Sequence, residues 1–558
     1  MHDLYHMFSA NSGIPSTPSS SLCDEFIVVE AKLWKSEYKT FPLYSTWESH
    51  LDNNDDHYPD SNNNQHIHIH SHHHHRHHHH HRHSSPSSHQ HDLHSHQHDQ
   101  HHHHHDTLSN HHPLLLNYED GTQHNVPKLT LDRLIGVYQE CFICLNEPWH
   151  DNTLSHRYFR GDLDPLVTNI IFAWSARHGA IYHGLFPGQD PNLVGEPFFN
   201  KAKDLLKERF TTSNIDTVHA LLVMHNYVIG KTGTQRKQAE SEAYMYLGLA
   251  IRMCLDLKMH QDASTTTPIE KERNRRFFWL AYFLETLCTL NVGKPLSLPD
   301  DGHASLGFPA SLNHEIGPIR WRVEFMSQRF RVIRIYRRLM ALTTAAKEKQ
   351  PISLQMITEL DKQVKDWYDA LEPHFRYDPH NPNWKQINQA TWMRDLGCLK
   401  LNIEHHYTMM QLYSLFLSTA SPAAAMNVLA RQVSRSSADK IVELVECWST
   451  SLPKEAWCHF ALEPVMVTTR LYTQLIEEGD EDTPGMKARM ERIAAIMENS
   501  PIQHRHPVRT IVETIYNNIG SPRLQQQTPL LDHWSSASLP MLSSLDFMQE
   551  QHQQSHVP

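Results

Sequence analysis

The sequence between about Pro113 and Arg523 is dominated by apolar residues that recur at intervals of three and four. This period places them on one face of an α-helix, and no alternating strand pattern of comparable strength accompanies it. The clearest stripe lies in Gln238–Lys258 and consists of Ala243, Tyr246, Leu247, Ala250, Cys254 and Leu257. The pattern predicts an all-α domain at residues 113–523, a multi-helix array with one continuous core.

Helices are predicted wherever this period persists. The predicted segments are Leu129–Leu145, Asp164–Tyr182, Glu196–Phe210, Asp216–Ile229, Gln238–Lys258, Ile269–Leu290, Trp321–Ala346, Leu354–Leu371, Asn388–Leu417, Ala423–Trp448, Glu463–Glu478, Met486–Met497 and His506–Ile519. Pro165 stands at the start of one of them, where its missing N–H costs nothing. Glycine agrees with this interpretation, because 19 of 558 residues is too few for a turn-rich all-β protein.

The two ends of the chain differ from this body in composition. Of the 49 histidines, 25 lie between His66 and His112, and residues 524–558 are rich in Gln and Ser. Both regions contain too few apolar residues to offset the entropy of ordering, so we expect low-complexity, disordered tails. The more apolar stretch Glu25–Trp47 is expected to be a short strand or helix that docks on the body, or a remnant of an imperfect gene prediction.

The charge distribution and the cysteines exclude several classes of protein. The three regions carry net charges of −8, −1 and −3, so the body has no overall electrostatic footprint for nucleic acid. The eight cysteines are scattered, which favours free thiols in a reducing compartment over a disulfide framework. No basic start precedes an apolar stretch and no run approaches 18 apolar residues, so neither a secretory signal nor a membrane span is expected.

Four segments of the predicted body carry motifs in a fixed order: Tyr246–Met253, Asp256–Asp262, Glu270–Trp279 and Gly293–Pro295. They resemble the fungus-specific transcription factor regulatory domain, the middle homology region of zinc-cluster activators of the xylanolytic-activator type. Weaker similarity on both sides extends the resemblance over roughly residues 130–420. The positions that match the family motifs are Glu272, Arg273, Arg275, Arg276, Trp279, Gly293, Lys294 and Pro295.

The resemblance implies a nuclear transcription factor that controls RNA polymerase II transcription of metabolic genes and is not an enzyme. It implies promoter DNA, transcriptional coactivators, homo- or heterodimers with related factors and a small-molecule inducer as partners. The chain departs from the family at Glu285-Thr286, where Asp-Arg is usual, and at Lys294, where Arg is usual. It also lacks the compact cluster of six cysteines that holds two zinc ions in the family's DNA-binding module. Zinc is therefore expected only in such a module. Either the gene prediction has lost the segment that encodes this module, or the protein acts without it.

The charged segment Glu272–Arg276 has two interpretations. It is either a regulatory surface or anion site, or a structural element in which arginines pair with carboxylates of a neighbouring helix. The second interpretation is favoured, because the helix continues with apolar residues that belong in a core, among them Phe278 and Trp279. A buried pair of this kind is costly to break on one side.

Seven arginines lie between Arg320 and Arg338. On a helix the residues Val323, Met326, Phe330 and Ile333 form one stripe, while Arg331, Arg334 and Arg338 form another. The basic stripe is a candidate surface for an acidic partner, a phosphate or a nuclear import receptor, and a solvated helix face is the simpler alternative.

Three further patterns suggest chemistry, but each lacks a necessary part. Cys141 and Cys144 have zinc-like spacing without a second ligand pair, so core packing is expected. The His-rich tract is expected to be a linker, although its imidazoles could bind Zn, Ni or Cu loosely. Asp300–His303 and Glu404–His406 contain titratable groups without the partner motif of a catalytic site.

The tail segment Leu539–Met548 mixes bulky apolar residues with Asp546. It suits an activation segment that folds into a coactivator groove, with Leu542, Leu545 and Phe547 as contact residues, or a segment that docks on its own body.

Two alternatives to a DNA-binding activator remain open. One is a coregulator or scaffold that dimerises with DNA-binding relatives, and the other is a helical enzyme, for which the usual catalytic motifs are absent.

Overall fold

The computed structural model describes residues 26–27, 126–145, 153–231, 236–262, 267–292, 294–298, 306–348, 350–380, 391–417 and 424–520. Within these ranges the chain is almost entirely helical. The α-helices, in chain order, are α1 Lys128–Cys141, α2 Leu154–Arg160, α3 Pro165–Tyr182, α4 Glu196–Leu206, α5 Ile215–Ile229, α6 Arg236–Asp256, α7 Pro268–Val292, α8 Gly317–Lys347, α9 Leu354–Asp369, α10 Trp392–Ser414, α11 Ala424–Ser451, α12 Glu463–Glu477, α13 Thr483–Glu498 and α14 His506–Ile519.

Local chemistry fixes several helix starts. Asp164 accepts hydrogen bonds from the amides of Leu166 and Val167, and Pro165 occupies the first position of α3, as the sequence predicts. At the start of α7, Thr267 Oγ1 accepts from the amide of Glu270 while the Glu270 carboxylate accepts from the amide of Thr267. This reciprocal pair satisfies two amides that have no partner inside the helix.

The helices pack through neighbours that are often close in sequence. In the first half, α3 contacts α1, α4 and α5, and α5 lies against α6. In the second half, α10 contacts α8, α9 and α11, while α12 and α13 cover α11. The two halves meet where α7 packs on α8, which is where the family-like motifs lie.

Buried apolar side chains form one cluster that runs from Leu134 to Ile519. The predicted stripe of α6 faces this core, with Ala243, Leu247, Ala250 and Cys254 buried and Tyr246 and Leu257 partly buried. The predicted all-α class is confirmed for the described residues. No helix among them is both long and apolar enough to cross a bilayer.

The differences from the predicted elements are local. Helix α2, Leu154–Arg160, was not predicted, because seven residues are too few for a clear period. Helix α4 ends at Leu206, where a series of turns begins, instead of at the predicted Phe210. Phe26–Ile27 forms a two-residue strand, β1, that pairs antiparallel with β2, Ile352–Ser353, which is the strand alternative for the Glu25–Trp47 segment. The predicted tails lie outside the described residues, apart from this strand.

Candidate functional site: an arginine groove beside the family-like motifs

The motif residues at the start of α7 hold a loop in place. Arg276 is buried and binds Glu315 through both terminal nitrogens at 2.7 Å, and its Nη2 also donates to the Ala310 carbonyl oxygen at 2.9 Å. One turn earlier, Glu272 accepts from Arg276 Nε and from the Ala310 amide, both at 2.9 Å. The carboxylate of Glu315 also accepts from the Leu312 amide at 2.8 Å. The loop at residues 306–316 is thus bound to α7 through charge-assisted hydrogen bonds.

The neighbouring motif residues extend this arrangement. Arg275 binds Glu272 at 2.8 Å and Asp262 at 3.0 Å, which connects α7 to the turn after α6. Arg273 is half-buried on the same helix. The structural interpretation therefore describes Glu272, Arg275 and Arg276 better than an open anion site does, although the carboxylates belong to α7 itself and to loops.

Trp279 fixes the same loop one turn further along α7. Its indole Nε1 donates to the Gly307 carbonyl oxygen at 3.0 Å. Its ring is stacked on Phe308, with the ring centroids 4.5 Å apart. The position of the Phe308 ring is therefore set by α7.

The family-like motif Gly293–Pro295 lies near α6. The Pro295 carbonyl oxygen accepts from the hydroxyl of Tyr244 at 3.4 Å, and Lys294 Nζ is 5.7 Å from the centre of the Tyr244 ring. Gly293, the first residue of this motif, lies outside the described residues. The described part of the motif thus packs on α6.

Beyond Phe308, the predicted basic stripe of α8 lines an open groove of about 600 Å³, within the size range of ligand sites. We call it the arginine groove. It lies between α8 and α9, and its lining residues are Phe308, Gln328, Arg331, Arg334, Ile335, Arg338, Gln363, Asp366, Trp367, Ala370 and Glu372. The structure thus brings together all three arginines of the predicted partner surface.

The arginines of this groove are held by aromatic and amide groups. The guanidinium carbons of Arg331 and Arg334 lie 4.5 Å and 5.7 Å from the centre of the Phe308 ring. Arg338 donates to Gln363 at 3.1 Å. Among the described residues no carboxylate forms an ion pair with Arg331 or Arg334, and partial burial lowers the pKa of Arg331. Arg331 and Arg334 thus form no ion pair among the described residues, although the Glu372 carboxylate attracts Arg331. Guanidinium groups placed in this way suit an anionic ligand.

The opposite wall of the groove supplies amide, aromatic and acidic groups. Trp367 Nε1 donates to Gln328 Oε1 at 3.1 Å, and Gln328 in turn donates to Glu372 at 3.1 Å. Asp366 adds a second carboxylate to the lining. The groove thus combines three guanidinium groups with two carboxylates, two amides and four apolar side chains.

The other four arginines of the Arg320–Arg338 segment have structural partners. Arg329 pairs with Glu404 at 2.7 Å, Arg337 with Glu285 at 2.7 Å, and Arg320 with Glu324 at 2.6 Å. Arg322 donates to the carbonyl oxygens of Gln139 and Glu140 at the end of α1, a favourable position for a cation.

Glu285 was noted in the sequence only as a departure from the family pattern. It is buried, and besides Arg337 it accepts from the amide of Ser297 at 2.6 Å and from that of Leu298. Arg337 also lies over the ring of Tyr282, 4.2 Å from its centre. A carboxylate inside an apolar helix was the available signal, since such a group needs a buried partner. The partner itself, 52 residues away, could not be identified from spacing.

The other titratable motif noted in the sequence, Glu404–His406, makes structural contacts between helices. Glu404 binds Arg329, and His405 is stacked on Tyr368 with ring centroids 3.9 Å apart. Burial lowers the pKa of His405 to about 3 and that of His406 to about 4. Both imidazoles are therefore neutral at physiological pH.

Several predicted sites lie outside the described residues. They are Asp300–His303, the His-rich tract and the tail residues Leu542, Leu545 and Phe547. Their roles stay predictions.

Comparisons with known proteins point to one family. Residues 186–369 match the family described as fungal specific transcription factor domain. An ABC-transporter-regulating transcription factor of Aspergillus fumigatus is 28% identical over 272 residues, which are 45% of this chain and 29% of that protein. Transcription factor asqA of Emericella nidulans is 20% identical over 280 residues, 44% of this chain and 48% of that protein. Transcriptional activator protein acu-15 of Neurospora crassa is 25% identical over 217 residues, 36% of this chain and 22% of that protein.

The chain spans less than half the length of each of these three relatives. The matched region contains the motif residues of α7 and all three arginines of the groove. The resemblance deduced from the motifs is confirmed, over a shorter stretch than the 130–420 expected from sequence.

Proposed function

Because residues 186–369 match the family described as fungal specific transcription factor domain, we propose that this protein is the regulatory part of a nuclear transcription factor that controls metabolic genes. The observation that carries the proposal is that the three arginines of the groove lie inside the matched region and that the motif residue Trp279 packs on the Phe308 ring of its lining. The transcriptional roles of the similar proteins support the same conclusion. This role is the binding and transmission of a signal and requires no catalysis by the chain.

The proposed mechanism is a linkage between the groove and the rest of the body. An anionic effector, bearing a carboxylate or a phosphate, binds Arg331, Arg334 and Arg338. It stabilises one arrangement of α8, α9 and the loop at residues 306–316 over others, and so changes which surface the body offers to coactivators. The preference for an anion follows from the three guanidinium groups that line the groove, two of which form no direct ion pair among the described residues.

Promoter DNA is reached indirectly in this proposal. The body is near neutral, which gives it little attraction for phosphate backbones. DNA is therefore contacted by a related zinc-cluster protein that dimerises with this chain, or by a zinc-cluster module of the family type.

The test is chromatin mapping of the tagged full chain, together with its localisation in the cell. Localised occupancy of promoters and a nuclear signal are expected. A variant with Arg331, Arg334 and Arg338 all changed to Gln should keep its abundance but lose most of its effect on the transcripts of the occupied genes. An exclusively cytosolic signal without promoter occupancy would overturn the proposal.

The matched control is Arg320→Gln on the same helix. Arg320 is exposed and lies outside the groove, so its replacement should leave the transcripts unchanged. If the control and the groove variant behave alike, the groove is not the regulatory site. If occupancy disappears when a DNA-binding relative is deleted, the chain acts as a coregulator.

A further inference from the structure

Four side chains that favour borderline or soft metal ions converge where distant parts of the chain meet. Cys141 is the last residue of α1, His178 lies near the end of α3, and Cys458 belongs to the 3-10 helix Lys454–His459. The two sulfur atoms and an imidazole nitrogen of His178 all lie within 4.8 Å of one another, and all three residues are buried. The Nε2 atom of His183, directly after α3, is 3.3 Å from Cys141 Sγ. We call these four residues the Cys–His cluster.

The composition and spacing of the Cys–His cluster fit a tetrahedral metal site. Zinc binds cysteine sulfur at about 2.3 Å and histidine nitrogen at about 2.0–2.1 Å, so its ligand atoms are roughly 3.3–3.8 Å apart in a tetrahedron. The ligand atoms of Cys141, Cys458 and His178 lie within 4.8 Å of one another, and small rotations of these three side chains bring them to such separations. His183 is placed beside them by its 3.3 Å distance to Cys141 Sγ. We propose that Cys141, Cys458, His178 and His183 bind a divalent metal ion with the preferences of Zn²⁺.

The charge balance favours such an ion. Two thiolates neutralise a divalent cation, so the loaded site carries no net charge in a buried environment.

Neighbouring groups hold the ligands in place. The ring of Trp174 is stacked on His178 at 4.5 Å, and the ring of Tyr182 lies 4.9 Å from it. Arg505 donates to the hydroxyl of Tyr182, which ties α14's N-cap residue to the end of α3. A surrounding shell of this kind orients the ligands of known metal sites.

None of the four ligands belongs to the segment 186–369 that matches the family. The site would be a feature of this chain's flanking helices. By joining the end of α1 and the end of α3 to the connection between α11 and α12, the bound ion cross-links the first and last thirds of the body. Loss of the ion would loosen this junction without touching the arginine groove.

The test uses Co²⁺ as a spectroscopic substitute for Zn²⁺ on the reduced full-length chain. One equivalent should produce the intense ligand-field bands of tetrahedral cobalt and a sulfur-to-cobalt charge-transfer band, both removed by added Zn²⁺. The histidines of the low-complexity tract also bind Co²⁺, but imidazoles alone give no sulfur band. Cys458→Ser should clearly weaken the sulfur band, because Cys141 is then the one sulfur ligand left in the cluster. Cys144→Ser should keep the full band, because Cys144 lies close in sequence but outside the cluster.

A second variant covers the case in which Cys458→Ser does not fold. His183 is half-buried, so His183→Gln should fold. Mutation of a residue that only supports a metal ligand typically weakens metal binding by about 10- to 100-fold, so loss of the ligand His183 should weaken Co²⁺ binding by at least that order. Zn²⁺ should also raise the Tm of the wild type and of Cys144→Ser more than that of His183→Gln. Absence of the sulfur band in the reduced wild type, or a sulfur band of undiminished intensity in a folded Cys458→Ser variant, would overturn the proposal. A band unchanged in His183→Gln would remove His183 from the ligand set.

Discussion

The guanidinium of Arg276 is enclosed by two carboxylates and a backbone carbonyl oxygen. Arg276 is 4% exposed and Glu315 is also 4% exposed, so each charge depends on the other for compensation. The pair stabilises the native state only as a pair, because removal of either partner leaves an uncompensated buried charge. The groove arginine Arg331, in contrast, is exposed and rests on an aromatic ring.

We expect Arg276→Met to lower the free energy of unfolding by about 3–5 kcal/mol, the usual cost of breaking a buried ion pair on one side. Denaturant titration followed by circular dichroism measures this change. Arg320→Met is the control, since Arg320 is exposed and pairs only with Glu324 on its own helix. A loss no larger for Arg276→Met than for the control would contradict the structural role of the motif.

The buried His405 makes stability depend on pH. Its pKa is about 3 in the native state and about 6.5 in an unfolded chain. The native state therefore resists protonation while the unfolded state accepts it, and stability is lost as pH falls from about 6.5 towards 3. The slope from this one residue reaches about 1.4 kcal/mol per pH unit. Above pH 6.5 both states are neutral and the residue has no effect.

His405→Gln should reduce this slope, measured as the free energy of unfolding at several pH values between about 6.5 and 4. His156→Gln, at an exposed position of α2, should leave the slope as it is. Equal slopes in the wild type and in His405→Gln would mean that His405 is protonated in the native state.

At the scale of elements, helix positions follow from local sequence and loop positions do not. The predicted helix His506–Ile519 agrees with α14 at both ends, because apolar period and Pro507 are local signals. The loop at residues 306–316 could not be placed, since its position depends on Arg276, 39 residues before Glu315. For the same reason the basic stripe of α8 was predicted, while the second wall of the groove, supplied by α9, was not.

Two glycines test how closely the elements approach. A Cβ atom at Gly195, before α4, would lie 2.5 Å from the Ala173 carbonyl oxygen and 2.8 Å from the Tyr227 hydroxyl, whereas at Gly248 in α6 it would contact nothing within 4 Å. Gly195→Ala should therefore destabilise the protein by about 1–3 kcal/mol. Gly248→Ala should stabilise it by up to about 1 kcal/mol, because alanine is the better helix former. Thermal unfolding of both variants measures the difference, and shifts of the same sign would contradict the packing described here.

At the scale of the whole molecule, the core does not respect the limits of the family match. Helix α3, which precedes residue 186, packs on α4 and α5, and α10, which follows residue 369, packs on α8 and α9. The family match covers residues 186–369, yet the apolar faces of that segment are covered by helices outside it.

A fragment of residues 186–369 should therefore fail to form a native core. We expect it to aggregate or to bind the hydrophobic dye ANS, with no cooperative thermal transition. A fragment of residues 126–520 contains all the described helices and should melt cooperatively with low dye binding. Native-like melting of the shorter fragment would show that the matched segment is a domain in its own right.

The ring of Phe308 has Trp279 on one side and Arg331 on the other. A ligand that draws Arg331 away from the ring wets one aromatic face, on the order of 40 Å² of carbon, which costs about 1 kcal/mol. Ligand binding and displacement of the loop at residues 306–316 are thermodynamically linked. A protein in which this loop is already displaced should therefore bind such a ligand roughly five times more tightly. Trp279 is separated from Arg331 by the Phe308 ring alone, so the fluorescence lifetime of Trp279 should change when Arg331 leaves that ring.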